Sequence, residues 1–256
     1  MNNQSQQDRR KLNEEHQPAA IQQRINDKQG QSYTRDAVLG AIDGCVTTFA
    51  IVAGTAGGHF TPVVTVVLGV ANLLADGFSM AASEYQATRA EAEEVATARR
   101  EEQRHLETIP HGEREEVRQI YRRKGFEGET LNRAVQATTG NHDTWLDTML
   151  TDELGLQPHT RDPRRAAGAT FLAFIAAGVV PLLPFIAPQL SFGRFFLVSS
   201  ILTGVMFFLI GMAKGTALQL PRLHAAFETL ITGSLAAALA YTAGWVLKSI
   251  YGEGVV

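Results

Sequence analysis

Five stretches of the chain are almost free of charge, and their lengths predict the architecture. Ala37 to Gly58 carries a single charged group, Asp43. As a helix its 22 residues reach about 33 Å, the thickness of a bilayer's hydrocarbon core. Gly57 to Pro62 makes a short turn, and Val63 to Ser83 is a second apolar run, interrupted only by Asp76. Ala166 to Ala187 is the third; it has no charge but contains Gly178, Pro181 and Pro184, which predict a kink or break. Phe195 to Ala213 and Ala225 to Leu247 are the fourth and fifth, with Glu228 near the start of the last and Lys248 just beyond it. One such run is ordinarily a buried core helix. Five of this length predict five membrane spans, the first two forming a hairpin.

The pattern changes between Glu84 and Arg165, where charged residues alternate with apolar ones at helical spacing. The second span is expected to continue as a helix to about Leu106 and to be broken by Pro110 and Gly112. Glu113 to Lys124, stopped by Gly125, reads as the next helix, and Thr130 to Thr138 as another. A last one, capped by Asn141 or Asp143, runs to Leu154 and stops at Gly155. Residues 1–34 are rich in Gln, Asn and charge and read as a disordered tail without a signal peptide's apolar core. The organisation is then a tail (1–34), two spans (35–88), a helical insertion (89–162), three spans (163–250) and a short C-terminal tail (251–256).

Charge sharpens this division. Of 26 acidic residues, 17 lie between Glu84 and Asp162, and 13 of 23 basic residues lie between Arg89 and Arg165. A net charge of -3 excludes the concentrated basic surface of a nucleic-acid binder. The single cysteine, Cys45, excludes an intrachain disulfide and a cysteine-built zinc or iron–sulfur site. Arg24, Lys28 and Arg35 precede span one; Arg89, Arg99 and Arg100 follow span two; Arg161, Arg164 and Arg165 precede span three. These place the tail and the insertion in the cytoplasm and the C-terminus on the far side, with Arg194 as one contrary charge.

Charges within spans are the first candidate chemistry, because a carboxylate costs roughly 2.5–3.5 kcal/mol to insert at mid-membrane. Asp36 and Asp43 are seven apart and share a face of span one. Asn72, Asp76, Met80 and Glu84 recur every fourth residue on span two, a slowly drifting stripe. Carboxylates and amides suit hard cations, and a thioether shifts the preference toward transition metals. Met80 is read equally as a ligand and as packing. Asp43 could also serve as a structural partner for another span. Gly40 with Gly44, Gly54 with Gly58, Gly233 with Ala237 and Ala240 with Gly244 have small-xxx-small spacing, which predicts close helix packing or dimerisation without choosing between them.

The insertion carries the second set. Glu102 and His105 are three apart and face one side of a helix; Glu113 and Glu116 repeat the spacing, and Met149 and Glu153 are four apart. Each pair alone reads as a solvated surface that Arg99, Arg100, Arg104, Arg114 and Arg118 could neutralise. Repetition on three helices, with a Met and a His among the oxygens, favours a metal site.

Arg35 to Gly44, continued by Phe49 to Gly54, resembles the first helix of the vacuolar iron transporter family, and Ala75 to Tyr85 its second. Gly178 to Pro184 is similar to the family's Pro-rich third helix, and the resemblance covers about residues 33–250. It implies an all-α membrane protein: five transmembrane helices with a cytoplasmic helical metal-binding domain inserted between helices 2 and 3. It also implies a homodimer that exports ferrous iron (Fe2+), and in some members manganese, from the cytosol in exchange for protons. By position, Asp43 and Met80 would be ligands of the membrane path, and Glu102, Glu113, Glu116, Met149 and Glu153 ligands of the cytoplasmic domain. Glu84 would form the entrance. His105 stands where the family typically has another Glu, Leu150 where a second Met is frequent, and Asn72 where an acid is common; Asp76 on the same stripe compensates for Asn72. Imidazole also suits Mn2+, Zn2+ or Co2+. The rival reading is a membrane-anchored di-iron ferroxidase or iron-storage protein, which requires a second Glu-x-x-His. A metal sensor anchored by its spans has no use for Asp36, Asp43 and Asp76.

Overall fold

The computed structural model describes residues 9–10, 12–27, 32–186 and 192–252. Among them there is no β-strand. The chain divides into two compact units: Met1–Ser32 with Ala90–Arg161, and Tyr33–Arg89 with Asp162–Val256. In the expected disordered tail, Pro18–Asp27 forms a helix, α1. Its start has a physical reason: Pro18 sits in the first turn, followed by two alanines. The C-terminal tail beyond Gly252 lies outside the described residues.

The larger unit is apolar. Helix α2 (Thr34–Gly57) and the first part of α3 (Pro62–Thr108) form the hairpin expected from the first two runs. Helix α7 (Pro163–Gly178) runs into a 3₁₀ segment (Val180–Ile186) bent by 43° from it. Pro181 and Pro184 cannot donate backbone hydrogen bonds, which is why the helix gives way here. Helices α8 (Phe192–Ala217) and α9 (Arg222–Tyr251) complete the set. With the bent pair taken as one span, five segments are long and apolar enough to cross a membrane. Their centre is packed by Cys45, Phe49, Val52, Leu73, Phe174, Leu182, Phe195 and Phe207.

Small residues bring backbones into contact inside this chain. A Cβ added at Gly40 would strike the carbonyl of Thr170, and one at Gly44 the carbonyl of Phe174, so α2 and α7 pack in parallel with nothing between them. Gly54 and Gly57 meet Ala240, Tyr241 and Gly244 of α9 in the same manner. The Gly40/Gly44 and Gly54/Gly244 contacts are therefore intrachain packing.

The smaller unit is built on a separate hydrophobic cluster of Leu106, Val117, Ile120, Leu131, Val135, Trp145 and Met149. After α3 ends at Thr108, Pro110 opens α4 (Pro110–Arg123) as its first residue. Gly112, expected to break the chain with Pro110, instead lies inside the first turn of α4. Helix α5 covers Gly128–Thr139, and α6 (His142–Thr148) is capped by the Asn141 side chain, which accepts from the Thr144 amide at 2.9 Å. A π-helical turn, Met149–Glu153, follows, and Gly155 ends it at φ +69°.

Candidate metal centre

The smaller unit gathers three ligand-type side chains from two helices. Glu102 and His105 lie on α3 and Glu113 in the first turn of α4. His105 Nδ1 is 3.7 Å from Glu102 Oε1 and 3.7 Å from Glu113 Oε1. One ligand atom from each residue falls within 4.8 Å of the others, a spread a single cation could draw together. The burial is what sets this group apart. Glu102 is 6% exposed and Glu113 1%, and Oε2 of each is buried with no hydrogen-bond partner. Two carboxylate oxygens shut away from water and unpaired are costly, and a bound cation removes that cost.

The sequence explains why these acids are inside. Glu113, Val117 and Ile120 share one face of α4, and all three are buried. On α3 the buried positions include Val95, Glu102 and Leu106, again one stripe. Each carboxylate thus occupies a position that the helix pattern reserves for a core residue. Glu116 and Glu153 stay at the surface. Both act on the buried acids through space. Burial, then Glu116 and Glu102, push the Glu113 carboxyl up to about 7 against the pull of His105, with Glu153 adding to the rise. Glu102 is raised by burial and by Glu116 and Glu101, against His105, and Glu153 by desolvation and by Glu116 and Glu102.

Among the described residues the neighbouring arginines are engaged elsewhere. Arg99 bonds Asp147 at 2.6 Å, Arg104 approaches Glu101 at 3.9 Å, and Arg118 pairs with Glu115 at 3.2 Å. Arg100 turns to the Ala96 carbonyl and Thr97, and the Arg114 guanidinium stacks over Trp145, 5.6 Å from the ring centre. Among the described residues none of the five pairs with Glu102, Glu113, Glu116 or Glu153. Met149 is fully buried in the hydrophobic cluster. The Trp145–Arg114 contact has no signature in spacing.

In the larger unit, two hydrogen bonds fix the register of the hairpin. Thr65 Oγ1 donates to Thr55 Oγ1 at 2.8 Å, and Asn72 Nδ2 donates to Thr47 Oγ1 at 3.2 Å. The helices are antiparallel, so one turn further from the connecting loop on each helix Asp43 stands level with Asp76. Asp43 is half-buried and Asp76 exposed. Met80, one turn beyond Asp76, is half-buried and packs against the apolar core. Glu84, a further turn on, accepts from Thr88 Oγ1 at 3.1 Å. Asn72, where an acid was expected, thus holds the hairpin together through Thr47, a partner that sequence reading overlooked.

Fold and geometry together define an integral membrane protein with carboxylates inside its spans and a cluster of two buried carboxylates and an imidazole in a separate helical unit. The chain belongs to the VIT family, whose model matches residues 34–245. It is similar to a vacuolar iron transporter of Plasmodium falciparum, 29% identical over 242 residues and 89% of each chain. Vacuolar iron transporter 1 of Arabidopsis thaliana is 31% identical over 217 residues, 84% of this chain and 86% of that one. Vacuolar iron transporter 1 of Eucalyptus grandis is 31% identical over 233 residues, 87% and 92% of the two chains.

Proposed function

We propose that this protein carries ferrous iron out of the cytosol across a vacuolar-type membrane in exchange for protons. The observation that carries the reading is the pair of buried, unpartnered carboxylate oxygens of Glu102 and Glu113 beside His105. In this reading the smaller unit is cytosolic and collects the ion on Glu102, His105 and Glu113, with Glu116, Glu153 and Met149 as further ligands. Glu84 forms the entrance to the spans, and Asp43, Asp76 and Met80 the deeper site. The level placement of Asp43 and Asp76 across the hairpin supports a path there.

The donors support proton coupling. A carboxyl poised at about 7 is part-protonated near neutrality, so an arriving cation displaces a proton from Glu113. The names of the relatives support iron as cargo. The nitrogen of His105 keeps Mn2+, Zn2+ and Co2+ within the accepted range. A homodimer is part of the reading: Asp76 is exposed within a span, where facing lipid would cost it roughly 2.5–3.5 kcal/mol, and a second copy would cover it. One Glu-x-x-His, without a second, falls short of a di-iron oxidase centre.

The test is uptake into proteoliposomes with an acidic lumen. Ferrous iron should enter, the lumen should become alkaline in step, and Mn2+, Zn2+ and Co2+ should compete. Iron entry indifferent to the pH gradient would remove the antiport. Oxygen consumption on adding iron, without uptake, would replace the transporter by an oxidase.

A further inference from the structure

A groove of about 460 Å³ lies within the spans, lined from α2 by Phe49 and Ala53, from α8 by Phe196 to Phe207, and from α9 by Ser234 to Thr242. It touches none of the acids discussed above. Its floor is made by small residues, Gly204, Ala237 and Ala238 among them. An aromatic ladder lines the end nearer Arg194 and Lys248: Phe49 stacks on Phe196 at 6.5 Å, and Phe196 meets Tyr241 at 6.1 Å. From Phe196 to Phe207 the groove follows α8 for 11 residues, about 16 Å, the depth of one leaflet of the hydrocarbon core. A narrow, apolar, leaflet-deep groove open to the membrane has the shape of one acyl chain.

The helix that forms one wall also supplies a headgroup contact. Tyr241, Trp245 and Lys248 follow one another at i, i+4 and i+7, so the groove's face of α9 continues from apolar to amphipathic to cationic. Trp245 is 57% exposed, as suits a ring at the level of lipid headgroups. Lys248 stands about 10 Å beyond Tyr241 along the axis, past the ester zone of a lipid whose chain lies in the groove. Arg194 lies at the matching end of α8, two residues before Phe196. Among the described residues neither cation has a carboxylate partner.

We propose that this groove is a binding site for an anionic glycerophospholipid, with one acyl chain between α2, α8 and α9 and its phosphate on Lys248, assisted by Arg194. The experiment is native mass spectrometry of the full chain, released from micelles containing equal amounts of palmitoyl-oleoyl phosphatidylglycerol and phosphatidylcholine. The unmodified protein should retain lipid, with the glycerol headgroup favoured. Lys248→Gln should reduce that preference about fivefold, the worth of one cation near an anionic lipid surface, while leaving total bound lipid unchanged. Ala238→Phe, which fills the floor, should lose both lipids while helicity by circular dichroism and metal binding persist. Gly204→Leu, whose added Cβ would meet nothing nearer than Leu230 at 3.8 Å, repeats the test from α8. Lipid retained by both filled variants would overturn the site. An unchanged headgroup ratio in Lys248→Gln would overturn the phosphate contact. Loss of a dimer peak with lipid intact would assign the groove to a second copy and overturn the proposal.

Discussion

The two units hold their acids by opposite rules. In the smaller, water is near and a carboxylate is expected at the surface, so burial is the mark of use: Glu102 and Glu113 are inside and unpaired, while Glu116 and Glu153 remain outside. In the larger, the surroundings are apolar and the same residue type is costly wherever it stands, so its presence alone is the mark. There the informative feature is alignment, with Asp43 level with Asp76 across a register fixed by Thr47–Asn72 and Thr55–Thr65. The same side chain must therefore be judged against its own solvent: withdrawn from water into a core in one unit, carried into lipid in the other.

The strongest way to break this contrast is to remove an acid from each unit. Asp43→Ala should bring ferrous iron uptake into proteoliposomes down to that of empty vesicles, while metal binding measured by calorimetry on the full chain persists. Unaltered uptake would detach the path from the hairpin. Glu102→Gln with Glu113→Gln should do the reverse, weakening metal binding by at least about 10–100-fold. The metal-free protein should become more stable, by about 1–3 kcal/mol, because a buried unpaired charge has gone. A lower melting temperature in that variant would refute the claim that these carboxylates strain the empty site.

Packing offers a test of the larger unit alone. Gly44→Ala drives a methyl group into the Phe174 carbonyl and should cost about 1–3 kcal/mol, read as a lower melting point in detergent with metal affinity unchanged. The pH response sharpens the smaller unit. Folding raises the Glu113 carboxyl from 4.5 to about 7, so its contribution to stability is full below 4.5 and is lost as pH rises through 7. Without metal, melting followed by Trp145 fluorescence should therefore occur earlier at pH 8 than at pH 5, and saturating metal should abolish the difference. A metal-free melt that is no earlier at pH 8 would show that Glu113 is not held protonated. The smallest effect belongs to Arg99→Ala, which removes an exposed pair with Asp147 worth about 0.2–1 kcal/mol and should leave metal affinity alone.

Much of this was legible in the residues. Charge-free runs of the right length gave the spans, because lipid tolerates little else, and the two prolines after Gly178 gave the break. Glu102 and His105 were readable because i,i+3 spacing fixes a face. Glu113 was read as the partner of Glu116, yet the decisive relation is with Val117 and Ile120, whose buried face it shares. That signal was present in the spacing of 113, 117 and 120. What spacing could not give is the path of the arginines, since which acid a long, flexible side chain reaches depends on how the helices fold back. Nor could it show whether paired glycines join helices of one chain or of two, which the meetings of Gly40 with Thr170 and Gly54 with Gly244 answer.

The π turn at Met149–Glu153 turns this into a matter of counting. The Leu154 amide reaches back five residues to Met149 rather than four, so the turn holds one residue more than an ordinary helix would. Deleting one residue there would restore the usual pitch and swing Glu153 by about 100° around the axis, away from the carboxylates that now feel its charge. Chain length at this point thus sets where Glu153 stands: an alteration that changes no acid, only the number of residues, would move its charge away from Glu102 and Glu116.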